Sequence, residues 1–108
     1  MIYELRTYTA AQGKMAALNK RFAEVTLDLF KRHGFEVVGF WTNQIGGSSD
    51  ELIYMLGFND LGDYERKWEA FRSDPEMRQK FAESEKDGPL VARISTRMLR
   101  PTPYSPLK

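Results

Sequence analysis

The chain has 108 residues, 42% of them apolar and 29% charged, and its 16 basic and 15 acidic side chains leave a net charge of +1. That length holds one hydrophobic core and not two, and so even a charge balance offers no field for nucleic acid or an anionic membrane. There is no cysteine and a single histidine, His33; this excludes disulfides, thiolate nucleophiles and cysteine-ligated metal centres, and a two-histidine metal site would need two chains.

The first element is a strand over residues 2–9, IYELRTYT, whose alternation sets Glu4, Arg6 and Tyr8 on one face. Because it starts at residue 2, no signal peptide is expected, and no apolar run approaches the length of a membrane span. The expected location is therefore cytoplasmic. The period then changes: Met15, Leu18, Phe22, Val25 and Leu29 recur at spacings of three and four, the stripe of an amphipathic helix. That helix ends in Lys31, Arg32 and His33, which suit the carbonyl end of the helix dipole, followed by Gly34 as a cap.

Residues 35–45, rich in β-branched and aromatic side chains, predict a second strand. The segment GGSSD at 46–50 is a turn, and ELIYMLGF at 51–58 is a third strand, so the pair forms an antiparallel hairpin. Gly46-Gly47 is not read as a phosphate loop, because no helix follows it. Asp60 caps a second helix with the stripe Leu61, Tyr64, Trp68 and Phe71; Ser73 or Asp74 restarts it with Pro75 in the first helical position, and Met77 and Phe81 extend its apolar face. Glu83, Glu85 and Asp87 beyond are read as a solvated face. Residues 90–99 form a fourth strand with Arg93, Ser95 and Arg97 on one side, and the tail 101–108, with prolines at 101, 103 and 106, is extended.

The order βαββαβ is that of the ferredoxin-like fold: α+β, a four-stranded antiparallel sheet with both helices on one face. Residues 1–100 make the domain. The second strand offers Val37 and Trp41 to one side and Val38 and Phe40 to the other; the third offers Ile53 and Met55 against Leu52, Tyr54, Leu56 and Phe58. Neither sheet face is polar, so something must cover the one without helices. The expected cover is the same face of a second copy, giving a homodimer or higher homo-oligomer.

IYELRTYT at the start, GKM at 13–15, HG followed by GFWT within 33–42, DP at 74–75 and MLRPTPYSPL at the end together resemble the NIPSNAP family in order and spacing over nearly the whole chain. The family usually has proline-glycine before the first helix; here it is Gln12-Gly13. The resemblance implies a ferredoxin-like subunit of the dimeric α/β-barrel superfamily. That superfamily includes cofactor-independent monooxygenases, haem-degrading enzymes and ligand-binding proteins, and fold alone does not choose among them. The resemblance implies that eukaryotic members are mitochondrial and associated with membrane traffic and mitophagy; no counterpart of their targeting extension is expected here, so those roles are not carried over.

The candidate site residues each have a structural alternative. Glu4 and Arg6 suit an ion pair, within the sheet or across a two-fold axis. Were Arg93 and Arg97 to share the Glu4 face, Glu4 and Arg93 would form a structural or interface pair; Arg6 or Arg97 would otherwise hold an anionic ligand, since guanidinium matches carboxylate. Tyr8 stands beside them. Trp41 suits stacking on a flat ligand or a place in the core, and Asn43 a pocket mouth or the approach to the hairpin turn. His33 is a helix-end residue or a base overhanging a cavity. The expectation is a homo-oligomer binding a small apolar or acidic molecule or a protein partner, with no metal or cofactor. The alternative is a cofactor-independent monooxygenase or isomerase acting on a small aromatic substrate, and the residues leave catalysis open.

Overall fold

The computed structural model describes all 108 residues. Its elements are β1 (Ile2–Ala10), α1 (Met15–Arg21), a π-helical turn (Phe22–Thr26), α2 (Leu27–Arg32), β2 (Glu36–Thr42), β3 (Glu51–Phe58), α3 (Leu61–Ser73), α4 (Pro75–Ser84) and β4 (Val91–Leu99). The strands form one antiparallel sheet in the order β2-β3-β1-β4, the α+β ferredoxin-like arrangement expected from the sequence. The second strand is shorter than expected, because residues 43–50 turn away with Gly46 and Gly47 at positive φ (82° and 68°).

Residues 15–32 run as one helical rod interrupted by the π turn. The wide turn adds a residue to the register, so Thr26 and Phe30 swing into the buried face beside Leu18, Phe22 and Leu29. The rod stops at His33, and Gly34 takes φ of 75°. Asp60 caps α3 by accepting from the Asp63 N–H at 2.8 Å, while the Asp63 carboxylate accepts from Asn59 N–H at 2.9 Å. Asp74 caps α4 by accepting from the Glu76 N–H, with Pro75 in the first turn.

The helices pack on one face of the sheet and leave its β4 margin uncovered. Tyr8, Phe22, Phe30, Phe35, Tyr54, Phe58, Trp68 and Phe71 pack there as a nearly continuous aromatic core, mostly edge-to-face, as in Tyr8–Phe22 and Phe30–Trp68. Leu52, Tyr54, Leu56 and Phe58 are all buried on this face, as the alternation of β3 requires. Leu61, placed on the α3 stripe from its spacing, is instead exposed.

A register shift between Val37 and Gly39 changes the faces of β2. It puts Val37 and Phe40 on the helix side, Phe40 stacking on Tyr54 with ring centroids 4.8 Å apart. Trp41 goes to the other side, opposite Ile53. The expected pairing of Val37 with Trp41 and Val38 with Phe40 assumed an unbroken alternation, which the bulge at Val38 removes. Trp41 lies over Gly39, where even a Cβ would come within 2.9 Å of the indole.

The other face carries no helix. Tyr3, Leu5, Thr7 and Thr9 of β1 share it with Glu51, Ile53 and Met55 of β3, Trp41 of β2, and Arg93, Ser95, Arg97 and Leu99 of β4. The tail folds back over one corner: Tyr3 Oη donates to the Lys108 carbonyl at 2.7 Å, and a recess of about 320 Å³ remains between the tail and Tyr3, Met55 and Leu99. No helix is long and apolar enough to cross a membrane.

Candidate functional site

Even-numbered residues of β1 point at the helices, so Glu4 and Arg6 lie against Trp68 of α3 and Tyr8 against Phe22 of the π turn, not at the open sheet face. Glu4 is fully buried, and both of its carboxylate oxygens are hydrogen-bonded. Oε1 accepts from the Trp68 indole N–H at 2.8 Å; Oε2 accepts from Arg6 Nη1 at 2.9 Å and from Thr96 Oγ1 at 2.8 Å. Arg6 also donates from Nε to the Tyr54 hydroxyl at 2.8 Å and from Nη2 to the Tyr8 hydroxyl at 3.2 Å, and its guanidinium lies 4.4 Å from the centre of the Trp68 ring. Tyr54 in turn donates to Tyr8 at 3.1 Å.

This polar network is set in an aromatic core, buried at Glu4 and Tyr54 and reaching the surface at Arg6 and Thr96. Burial opposes the charge on Arg6, but Tyr8, Tyr54 and Glu4 more than offset it and hold the guanidinium pKa above its ordinary value. Burial, and then Tyr8, push the Tyr54 phenol well above the usual tyrosine range, against the pull of Arg6. Neither phenol nor guanidinium is thereby prepared to take a proton near neutrality. Toward β4 the network borders Ile94 and Met98, which share the helix side of the sheet yet stay 47% and 38% exposed.

The remaining sequence candidates lie elsewhere. Arg93 pairs across from Thr9 and Arg97 from Leu5, so both stand on the open face, opposite to Glu4. The expected Glu4–Arg93 pair is therefore not made: the two residues have opposite parity in the β1–β4 register, and Arg6, two residues along the same strand, supplies the cation. Trp41 is half exposed on the open face. Asn43 closes the hairpin, donating to the Ser48 carbonyl at 2.9 Å and to Glu51 Oε1 at 2.7 Å. His33 Nε2 lies 2.8 Å from Asp74 Oδ2 and joins the end of the helical rod to the start of α4. That hydrogen bond, helped by the Glu76 and Met77 N–H groups, keeps the Asp74 carboxyl below the usual range.

The six candidate ligand residues thus fall into three places: Arg6 and Tyr8 in the core network, Trp41 and Arg97 on the open face with Asn43 at its rim, and His33 in a helix-joining contact. Sequence reasoning missed Tyr54, Thr96 and Trp68 as the partners that complete the network. Trp68 and Tyr54 carried the signal of aromatics with a polar tip on buried faces, but which strand residue each would meet depends on register.

The sheet order and the placement of the helices define a ferredoxin-like subunit. Within that class the chain belongs to the NIPSNAP family, whose model matches residues 3–106. It is similar to the solved structure of a NIPSNAP family protein from Agrobacterium tumefaciens strain C58, at 25% identity and a TM-score of 0.87, covering 99% of this chain and 98% of that one. A second NIPSNAP family protein from the same strain, of unknown function, is 27% identical with a TM-score of 0.85, covering 100% and 94%. A candidate antibiotic biosynthesis monooxygenase from Chloroflexus aurantiacus shares the fold alone, at 16% identity and a TM-score of 0.57, covering 94% of each chain. No curated protein matches the sequence.

Proposed function

We propose that this NIPSNAP protein is a cytoplasmic homodimer, paired through its open sheet faces, whose work is to bind a small apolar or acidic molecule and not to transform it. The observation that carries the pairing is the sheet face without helices, with Leu5, Ile53, Met55 and Trp41 among its side chains. The same face is charge-complementary to itself: Glu36 and Glu51 stand on the β2–β3 side, and Arg93 and Arg97 on β4. A two-fold axis between the two faces and parallel to the strands would set each acidic side against the partner's basic side. Binding is favoured over catalysis because the polar groups that suggested chemistry are engaged with one another. Arg6 is committed to Glu4, Tyr8 and Tyr54, and His33 to Asp74.

Native mass spectrometry of the purified protein tests both halves of the reading. A dimer is expected, with Ile53→Asp running as a folded monomer by the same measurement and by circular dichroism. A monomeric wild-type protein overturns the pairing. Turnover of a small aromatic substrate with dioxygen and no added cofactor overturns the non-catalytic half.

A further inference from the structure

A cleft of about 450 Å³ opens between the α1 end of the helical rod and α4, and reaches down to Leu90 at the start of β4. Its volume is within the range of small-molecule sites, about 300–1,000 Å³. Ala17, Val25 and Leu90 give it an apolar floor, and Lys20, Arg21 and Lys86 give it cations. Lys20 and Lys86 make no ion pair in the protein.

Arg21 is the unusual member. It is only 6% exposed, and its guanidinium is stacked on Phe81, 4.2 Å from the ring centre. Nη1 donates to Glu85 Oε2 at 2.8 Å and to Ser84 Oγ at 3.3 Å. Nε is buried with no partner, and Nη2 makes no hydrogen bond in the protein. Of the two, Nη2 is the donor left open to an anion, while Nε is enclosed by the protein. A buried donor left without a partner is costly. The π turn begins at the next residue, and it too leaves a buried hydroxyl, Thr26 Oγ1, without a partner; such wide turns often mark functional sites.

We propose that this cleft binds an organic monocarboxylate, its carboxylate held by the free Nη2 of Arg21 and by Lys20 and Lys86, and its apolar chain on Ala17, Val25 and Leu90. The inference rests on the binding reading above and assigns it a place and a ligand class. Glu24 and Glu83 also line the cleft. They stand against a phosphate dianion and leave a singly charged acid with an apolar body as the favoured ligand.

The test is a titration of the full-length protein with hexanoate, followed through the Arg21 Nε–H signal in nitrogen–proton correlation spectra. That signal is assigned by its loss in Arg21→Lys. A saturable shift is expected, with a Kd of about 1 mM or tighter, unaffected by chloride at matched ionic strength and not reproduced by inorganic phosphate. Lys20→Gln/Lys86→Gln, which alters only surface side chains, is expected to weaken hexanoate binding several-fold. It serves if Arg21→Lys does not fold. Saturation by phosphate and not by hexanoate overturns the ligand class. Hexanoate binding that leaves Arg21 Nε and the lysine variant unchanged overturns the site while the binding reading stands. No response to hexanoate overturns the inference alone if the purified dimer carries another small molecule, and both readings if it does not.

Discussion

A carboxylate with no exposed surface, such as Glu4, is tolerated only when both of its oxygens are paired, since the desolvation penalty per buried ion is several kcal/mol. Here three donors from three elements meet it: Arg6 on β1, Thr96 on β4 and Trp68 on α3. Glu4→Ala therefore strands the Arg6 cation and is expected to lower stability by about 3–5 kcal/mol in urea unfolding, whereas Glu4→Met/Arg6→Met is expected to lose much less. Equal losses in the two variants would show that packing, not charge pairing, is what Glu4 supplies. Tyr54 gives a second outcome at this scale. Its folded pKa is raised, so the neutral phenol's contribution is complete below the ordinary tyrosine pKa near 10 and is lost as pH rises beyond it. Ultraviolet titration should show one tyrosine that ionises only as the protein unfolds in alkali; reversible ionisation of every tyrosine in the folded state would contradict this. The Glu4–Arg6 pair was legible in the sequence because alternate residues of a strand share a face. The absence of Arg93 from it was not, because the parity of β4 against β1 is set by their pairing register.

At the scale of elements, the caps and stops were the most readable features. Asp60, Asp74 with Pro75, and Gly34 all act where local backbone chemistry alone places them. Asp60→Ala is expected to cost about 1 kcal/mol in thermal or urea unfolding, and Asp60→Asn much less, since the amide oxygen still accepts from the Asp63 N–H. A similar loss in both would place the role of Asp60 outside capping. The unreadable features were the two irregularities of period. The π turn brings Thr26 and Phe30 into the core, and the Val38 bulge exchanges the faces of Phe40 and Trp41. Each inserts one residue, and a periodic reading has no local signal for an insertion that tertiary packing selects.

For the whole molecule, the βαββαβ order followed from element order alone, since short connections and alternating patterns leave few topologies. The candidate ligand residues did not gather into one site, because strand faces and the hairpin rim separate them. The proposed pairing of sheet faces predicts a measurable electrostatic consequence. If the proposed two-fold contact sets Arg93 and Arg97 against Glu36 and Glu51, Arg93→Glu/Arg97→Glu is expected to weaken the dimer by roughly tenfold or more in sedimentation equilibrium. In that arrangement the dimer should loosen as salt rises, because the charges would lie at the rim of the contact. An unchanged dimer in that variant would place the contact on another surface.

The bulge at Val38 lies on an outer strand of the sheet, β2. An outer strand offers unpaired backbone groups to any passing strand, and regular ones invite endless lateral growth. An extra residue in the middle of β2 breaks that row, so a second chain laid alongside would stay in step for only half its length. Along that margin the row of unpaired groups is interrupted, so lateral growth of the sheet past β2 is disfavoured.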